Sequence, residues 1–168
     1  SDPVNIGFTV QTGEVSAKGY EAEAKAILPG GLDVSASYTH LDNVITKTNT
    51  LAQLGKRPVG RPVDQAAAWI GYTPDVFKGV SAGVGIKYVG KSFGDAGNTT
   101  AVIVPSYTLL DALIRVRLES FSSNLTGWDA SVNAINLSDK RYVTNCDTVS
   151  QCFYGQGRVV KVTLGRRW

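Results

Sequence analysis

The chain has 168 residues, 17 Lys+Arg against 14 Asp+Glu for a formal net charge of +3, and 18% charged residues, below the roughly 25% of an average soluble domain. It holds no run of 18 apolar residues to make a transmembrane helix, no basic stretch leading into an apolar one to make a signal peptide, and no Lys/Arg block to hold a nucleic acid. With 18 glycines and no methionine, it is expected to be a processed, trimmed or partial chain.

Alternation with a period of two predicts strands from the start. The first, about 6–28, sets Tyr20, Ala22, Ala24, Ala26 and Leu28 against Glu21, Glu23 and Lys25. The second, about 32–46, sets Leu32, Val34, Ala36 and Tyr38 against Asp33, Ser35, Ser37 and Thr39, with the sole histidine, His40, just beyond. A third spans about 62–73. The fourth, about 79–93, opposes Val80, Ala82, Val84, Ile86 and Tyr88 to Ser81, Gly83, Gly85 and Lys87. Strands at about 104–118 and 126–137 follow. The seventh, about 156–168, opposes Val160, Val162, Leu164 and Trp168 to Lys161, Thr163, Gly165 and Arg167. The connections alternate in length: 29–31, 73–79 and 119–126 are short, whereas 46–61, 94–103 and 138–155 are long and polar.

Two architectures compete for this pattern. A soluble sandwich buries the apolar face between two sheets, while a membrane barrel turns it to lipid and keeps polar groups inside. Strands longer than the usual five or six residues, charges on the polar face (Glu21, Glu23, Lys25, Lys87, Arg115, Arg117, Lys161) and aromatics near the ends of the apolar runs (Tyr38, Tyr72, Tyr88, Trp128, Trp168) favour the barrel. Seven strands cannot close an antiparallel barrel, and hydrocarbon tolerates no unpaired edge. An eighth strand is obtained only by splitting the first at the turn-like Gln11-Thr12-Gly13-Glu14; seven strands of a larger barrel are the favoured reading.

Cys146 and Cys152 have five residues between them and no second pair to complete a metal site, so a short-loop disulfide is favoured over two free thiols, implying an oxidising compartment. His40 has no Cys, Asp or Glu at ligand spacing, so no metal site is expected. No nucleophile triad, phosphate loop or dinucleotide fingerprint is present, and no enzymatic activity is expected.

Five motifs stand in a telling order: Gln11-Thr12-Gly13-Glu14-Val15 onward to Glu23; Leu32 to Leu41; Gly60-Arg61-Pro62 with Ala68-Trp69; Val132 to Val143; and Cys152-Phe153-Tyr154-Gly155 onward to Arg158 and Trp168. Together they resemble a TonB-dependent ferric-siderophore outer-membrane receptor of the ferrichrome/ferrioxamine-receptor type, over essentially the whole chain. Ala134, Ile135 and Ser138 depart from the family pattern at positions that look structural. The resemblance implies an all-β, transmembrane, antiparallel up-and-down barrel in which residues 1–168 are the C-terminal part, roughly the last seven strands of 22. The plug domain and earlier strands would be absent. Short connections would face the periplasm and long ones the outside.

The implied function is an outer-membrane receptor and transporter of a Gram-negative bacterium for a ferric (Fe3+) siderophore. No cofactor would be covalently bound, and energy would come from the TonB–ExbB–ExbD complex acting through the missing N-terminal region. The residues alone leave as alternatives a passive porin-like or small outer-membrane barrel without a plug, or a soluble β-sandwich binding module. By resemblance, the Cys146–Cys152 pair stiffens a ligand-facing loop, and Phe153 and Tyr154 are siderophore contacts; Asp147 stands where the family can carry an aromatic, which weakens a contact there. Lys56, Arg57 and Arg61 form a basic cluster fitted to lipopolysaccharide phosphates or an anionic siderophore. The charged polar-face residues should line the lumen and pair with one another or with the plug. Val160, Val162, Leu164 and Trp168 resemble the terminal signal read by the barrel-assembly machinery.

Overall fold

The computed structural model describes residues 13–148 and 151–167. Seven strands make one antiparallel sheet: β1 (Glu14–Leu28), β2 (Leu32–Lys47), β3 (Asp64–Tyr72), β4 (Val80–Val89), β7 (Tyr107–Arg117), β8 (Trp128–Ile135) and β11 (Val159–Arg166), joined in that order. Two small ribbons stand off it within the long connections: β5 (Ser92–Phe93) with β6 (Ile103–Val104), and β9 (Val143–Thr148) with β10 (Gln151–Tyr154). The proposed turn at Gln11-Thr12 and the part of the first strand before Gly13 lie outside the described residues.

The register fixes the faces. One continuous row runs through all seven strands as Ala26–Val34–Ile70–Val84–Ala112–Ala134–Val160. A second same-face row, also through all seven strands, reads Leu28–Leu32–Tyr72–Ala82–Ile114–Val132–Val162. Because a strand alternates its side chains, the rows between them form the other face: Lys25–Ser35–Trp69–Gly85–Asp111 and Glu23–Ser37–Ala67–Lys87–Leu109. A sandwich would cover one face with a second sheet. Here a single layer leaves Val84, Ile114, Val160 and Val162 at least half exposed, so the apolar face requires an apolar surrounding rather than a packing partner.

Aromatic residues bracket the apolar face. Tyr20, Tyr38 and Tyr88 lie toward the long loops, and Tyr72 and Trp128 toward the short turns, with the Arg166 guanidinium 5.5 Å from the Trp128 ring centroid. Along β3 the two bands are about six residues, or roughly 20 Å, apart. This is the girdle geometry expected of Tyr38, Tyr72, Tyr88 and Trp128; Trp168 lies outside the described residues.

Two expected strands end earlier than their apolar pattern. The fourth stops at Val89 and the fifth starts at Tyr107. Backbone chemistry is the reason: the Gly90 N–H still donates to Asp64 O in register (2.8 Å), but Asp64 is the first residue of β3, so no partner lies beyond it, and Pro105 has no N–H to give. The residues in between, Ser92–Phe93 and Ile103–Val104, form the small β5–β6 ribbon instead. The last long connection, read from sequence as an irregular loop, is largely a hairpin.

Candidate functional site

Three long connections gather at one end of the sheet: 48–63, 90–106 and 136–158. They form a single body with its own small core, in which Val102, Val104 and Cys146 are buried and Val143 packs against them. Connection 48–63 is latched to 90–106 by backbone and side-chain bonds: Gly60 N to Phe93 O (2.8 Å), Arg57 N to Asn98 Oδ1 (2.6 Å) and Asn98 Nδ2 to Arg57 O (2.9 Å). Gly60 also meets the third connection. Its φ of +68° suits glycine, and a Cβ there would stand 2.7 Å from Asn145 Oδ1.

The root of the third connection is Asn136, 1% exposed and left-handed at φ +51°. Its N–H donates to Asp111 Oδ1 (2.8 Å), its amide donates to Lys140 O (2.9 Å) and Gln156 O (3.1 Å), and its Oδ1 accepts from Lys140 N (2.9 Å). A side chain of this shape closes both ends of the excursion, since Lys140 leaves the sheet and Gln156 returns to it. Nearby, the Tyr142 ring packs tilted by 38° against that of Tyr107, with centroids 4.4 Å apart. The Tyr142 ring also lies against Gly155, where any Cβ would enter it.

The disulfide is formed: Cys146 and Cys152 are opposite one another in the β9–β10 hairpin and bonded at 2.01 Å. Its Cys146 half lies in the loop core, so the bridge ties the hairpin to residues 102–104 as well as to itself. Replacing both cysteines by alanine is expected to cost the hairpin about 2 kcal/mol for a loop this short. Protease nicking between residues 143 and 154 should accelerate; unchanged nicking would mean the neighbours alone hold the hairpin.

Among the expected ligand contacts, Phe153 and Tyr154 lie on β10 and are 47% and 77% exposed. Tyr154 borders an open cleft of about 510 Å³ together with Asp139, Lys140, Arg141, Tyr142 and Gly155; Phe153 is not on its wall. The Asp147 side chain lies outside the described part. Tyr142, which the sequence offered only as part of a motif, is therefore nearer to Tyr154 than its spacing of twelve positions suggests.

The basic cluster is rearranged by the fold. Arg57 and Arg61 share a cleft wall, but Lys56 does not join them: its carbonyl lies on the β2 edge, accepting from Ile45 N (2.9 Å), and its N–H closes a local turn on Gln53 O (3.0 Å). The third cation is Lys91, from the next connection. On the sheet itself, the charges expected to pair with one another or with the plug form almost no pairs with one another among the described residues. Glu21, Glu23, Lys25, Lys87, Arg115 and Lys161 make no ion pair there, and Arg117 reaches only Glu119, at 3.9 Å. Glu23, Lys87 and Asp111 instead border a shallow concavity of about 270 Å³ around Trp69, with Ser35, Ser37 and Ala67 as its floor.

His40 faces the apolar side near the long-loop end, where its Nδ1 is 2.8 Å from Asp64 Oδ1 and Tyr38 donates its hydroxyl to the same oxygen (2.7 Å). Among the described residues no group of three His, Cys, Asp or Glu could hold a metal ion. Val160, Val162 and Leu164 occupy the apolar face of β11, an edge of the sheet.

Residues 1–137 match the family model described as TonB dependent receptor-like, beta-barrel. The ferrioxamine receptor of Yersinia enterocolitica is 36% identical over 94% of this chain, and the ferrichrome outer membrane transporter/phage receptor of Escherichia coli K12 is 36% identical over all of it. Each match covers 22% of the relative, so the chain spans about a fifth of the length of these proteins. The crystal structure of the siderophore receptor PiuA from Acinetobacter baumannii superposes with a TM-score of 0.74 at 28% identity, covering 90% of this chain and 22% of that one.

Proposed function

The chain belongs to the TonB-dependent receptor-like β-barrel family of the Gram-negative outer membrane, and from that membership we propose that it is the C-terminal part, over residues 1–168, of a receptor that imports a ferric siderophore. Seven strands in an open sheet, about a fifth of the relatives' length, support the assignment of the earlier strands and the plug to the rest of a longer protein. The observation that carries the reading is the pairing of this wall with names: receptors for ferrioxamine and ferrichrome are each 36% identical over nearly the whole chain.

In this reading the apolar rows face lipid and the Lys25 and Glu23 rows line the lumen, where the concavity around Trp69 receives the plug. The loop body stands outside the cell. Tyr154 and Phe153 meet the siderophore on a surface made stiff by the disulfide and the Asn136 root, which lowers the ordering cost of binding. Asp147 stays a weaker member of that set. No reaction is catalysed: the loops bind, the wall contains, and the TonB–ExbB–ExbD complex supplies the energy through the plug. Val160, Val162 and Leu164, with Trp168, are read by the barrel-assembly machinery.

Deletion of the full gene tests this in iron-starved cells. Uptake of at least one labelled ferric siderophore from a panel should disappear, return on complementation, and require TonB. Normal import of every siderophore tested would overturn the receptor reading; import persisting without TonB would favour a passive pore.

A further inference from the structure

The third connection turns inward as it leaves the sheet. Asp111 lies in the lumen-facing row beside Gly85, and its Oδ1 accepts the N–H of Asn136, the first residue beyond β8 (2.8 Å). A ring makes the second anchor. Tyr107 ends the row Glu21–Thr39–Gln65–Val89–Tyr107, which alternates with the lipid-facing rows and so faces the lumen. The Tyr142 ring packs against it, with centroids 4.4 Å apart. Tyr142 is also a wall of the open cleft of about 510 Å³ that Asp139, Lys140, Arg141 and Tyr154 line. The cleft therefore stands at the inner rim of the barrel mouth, on the side that a solute entering the lumen passes.

The charge of this wall is unbalanced. Lys140 and Arg141 make no ion pair among the described residues. Asp139 is the acid on the wall, and its Oδ1 already accepts the backbone N–H of Arg158 (2.8 Å). The two cations are also fixed at their roots. Lys140 N–H donates to Asn136 Oδ1 (2.9 Å), Lys140 O accepts from Asn136 Nδ2 (2.9 Å), and Tyr142 O accepts from Gly155 N–H (2.9 Å). The backbone is thus bonded on both sides of Arg141, which leaves its side chain alone to order on binding. A guanidinium meets a carboxylate through two parallel hydrogen bonds, and an ammonium adds a compact charge. The phenols of Tyr142 and Tyr154 supply apolar faces with hydroxyl donors. A neutral ferric hydroxamate gains no ion pair from such a wall, and a protonated amine is repelled by it.

We propose that the cleft lined by Lys140, Arg141, Tyr142 and Tyr154 selects ferric siderophores that carry a free carboxylate, by pairing that carboxylate with Arg141 and Lys140. The assignment rests on the receptor reading and adds to it the charge of the substrate. Charge and iron chelation are separate properties of a siderophore. A hydroxamate chelate can end in an amine or in a carboxylate, so similarity to receptors for ferrioxamine and ferrichrome does not fix the charge that this cleft takes.

The test titrates the full-length receptor, purified in detergent, with ferric complexes that share one hydroxamate iron centre and differ in charge. The probes are ferrioxamine B, whose terminal amine is protonated at neutral pH, its neutral N-acetyl derivative, and its N-succinyl derivative, which ends in a carboxylate. The wild type should bind the succinylated complex about tenfold more tightly than ferrioxamine B, with the acetylated one between, because repulsion is exchanged for charge-assisted hydrogen bonds. Added salt should narrow that gap. The double variant K140Q/R141Q should bind all three alike, near the wild-type affinity for the acetylated complex, and Arg141→Lys should keep the wild-type order. The double variant K18Q/K47Q removes the same charge from exposed positions of the β1–β2 hairpin at the same end of the sheet, and should also keep that order. Equal affinities across the series in the wild type, the wild-type order persisting in K140Q/R141Q, or its loss in K18Q/K47Q overturns the proposal. Loss of all three complexes in K140Q/R141Q assigns the pair a structural role and overturns it as well. So does failure of the wild type to bind the succinylated complex; uptake of another ferric siderophore that disappears on gene deletion then leaves the transport reading standing.

Discussion

Arginine in place of Val84 is expected to cost the folded barrel about 2–4 kcal/mol in a bilayer, the penalty of a cation at the lipid-facing midplane. Val84 lies in the central apolar row, flanked by Ile70 and Ala112, and is 57% exposed to whatever surrounds that face. The matched control is Thr39→Lys, on the opposite face and directly across from Glu21. There a new cation gains a partner in a wet lumen, so its effect should stay within about 0.5 kcal/mol. Equilibrium unfolding of the full-length protein in liposomes separates the two. Equal costs for the two substitutions would contradict the assignment of the faces, and with it the membrane orientation of every strand.

The second large effect is expected at Asn136. Asn136→Ala removes two donors and one acceptor from a site that is 1% exposed, stranding Lys140 O, Gln156 O and Lys140 N. It also places alanine at φ +51°, where asparagine is tolerated better. Buried groups left unsatisfied cost about 1–3 kcal/mol each, less whatever water recovers, so a loss on the order of 3 kcal/mol is expected at the loop root. Amide exchange at Lys140 should rise by two orders of magnitude or more, a change of about 1.4 kcal/mol per factor of ten. Asn136→Asp keeps the acceptor for Lys140 N and should fall between. Exchange at Lys140 that is unchanged in Asn136→Ala would show that the loop is closed by its tip and not by its root.

The sheet was legible because its information is local and periodic. Each of the seven strands carries its own alternation, and Leu32–Tyr38 or Val80–Tyr88 identify their apolar face without reference to any other part of the chain. The ends of the strands were less legible. Ile103 and Val104 alternate like their neighbours, and only the backbone of Pro105 and the end of the neighbouring β3 at Asp64 separate them from the sheet. The candidate site was legible in its types and illegible in its groupings. Lys56 and Arg57 are adjacent in sequence, yet the strand-edge bonding of Lys56 turns it away, and Lys91 arrives from a different connection. Asn136 stood in a quoted motif, but its role depends on Gln156 twenty positions later. Pairings of that range follow from where two excursions return to the sheet, which no window of sequence contains.

The loop core has a consequence for recognition by other molecules. Val102, Val104 and Cys146 are interior to a surface whose outside is contributed by three stretches of chain, near positions 57–60, 93–98 and 143–154. Such a surface is a discontinuous epitope. A linear peptide copied from residues 143–154 would carry the hairpin's sequence without the neighbours that bury Cys146, so antibodies raised against that peptide should bind the denatured chain better than the native protein. Antibodies selected on the native protein should lose their target when the latch at Asn98 is cut, even where their contacts lie only near positions 57–60 and 143–154.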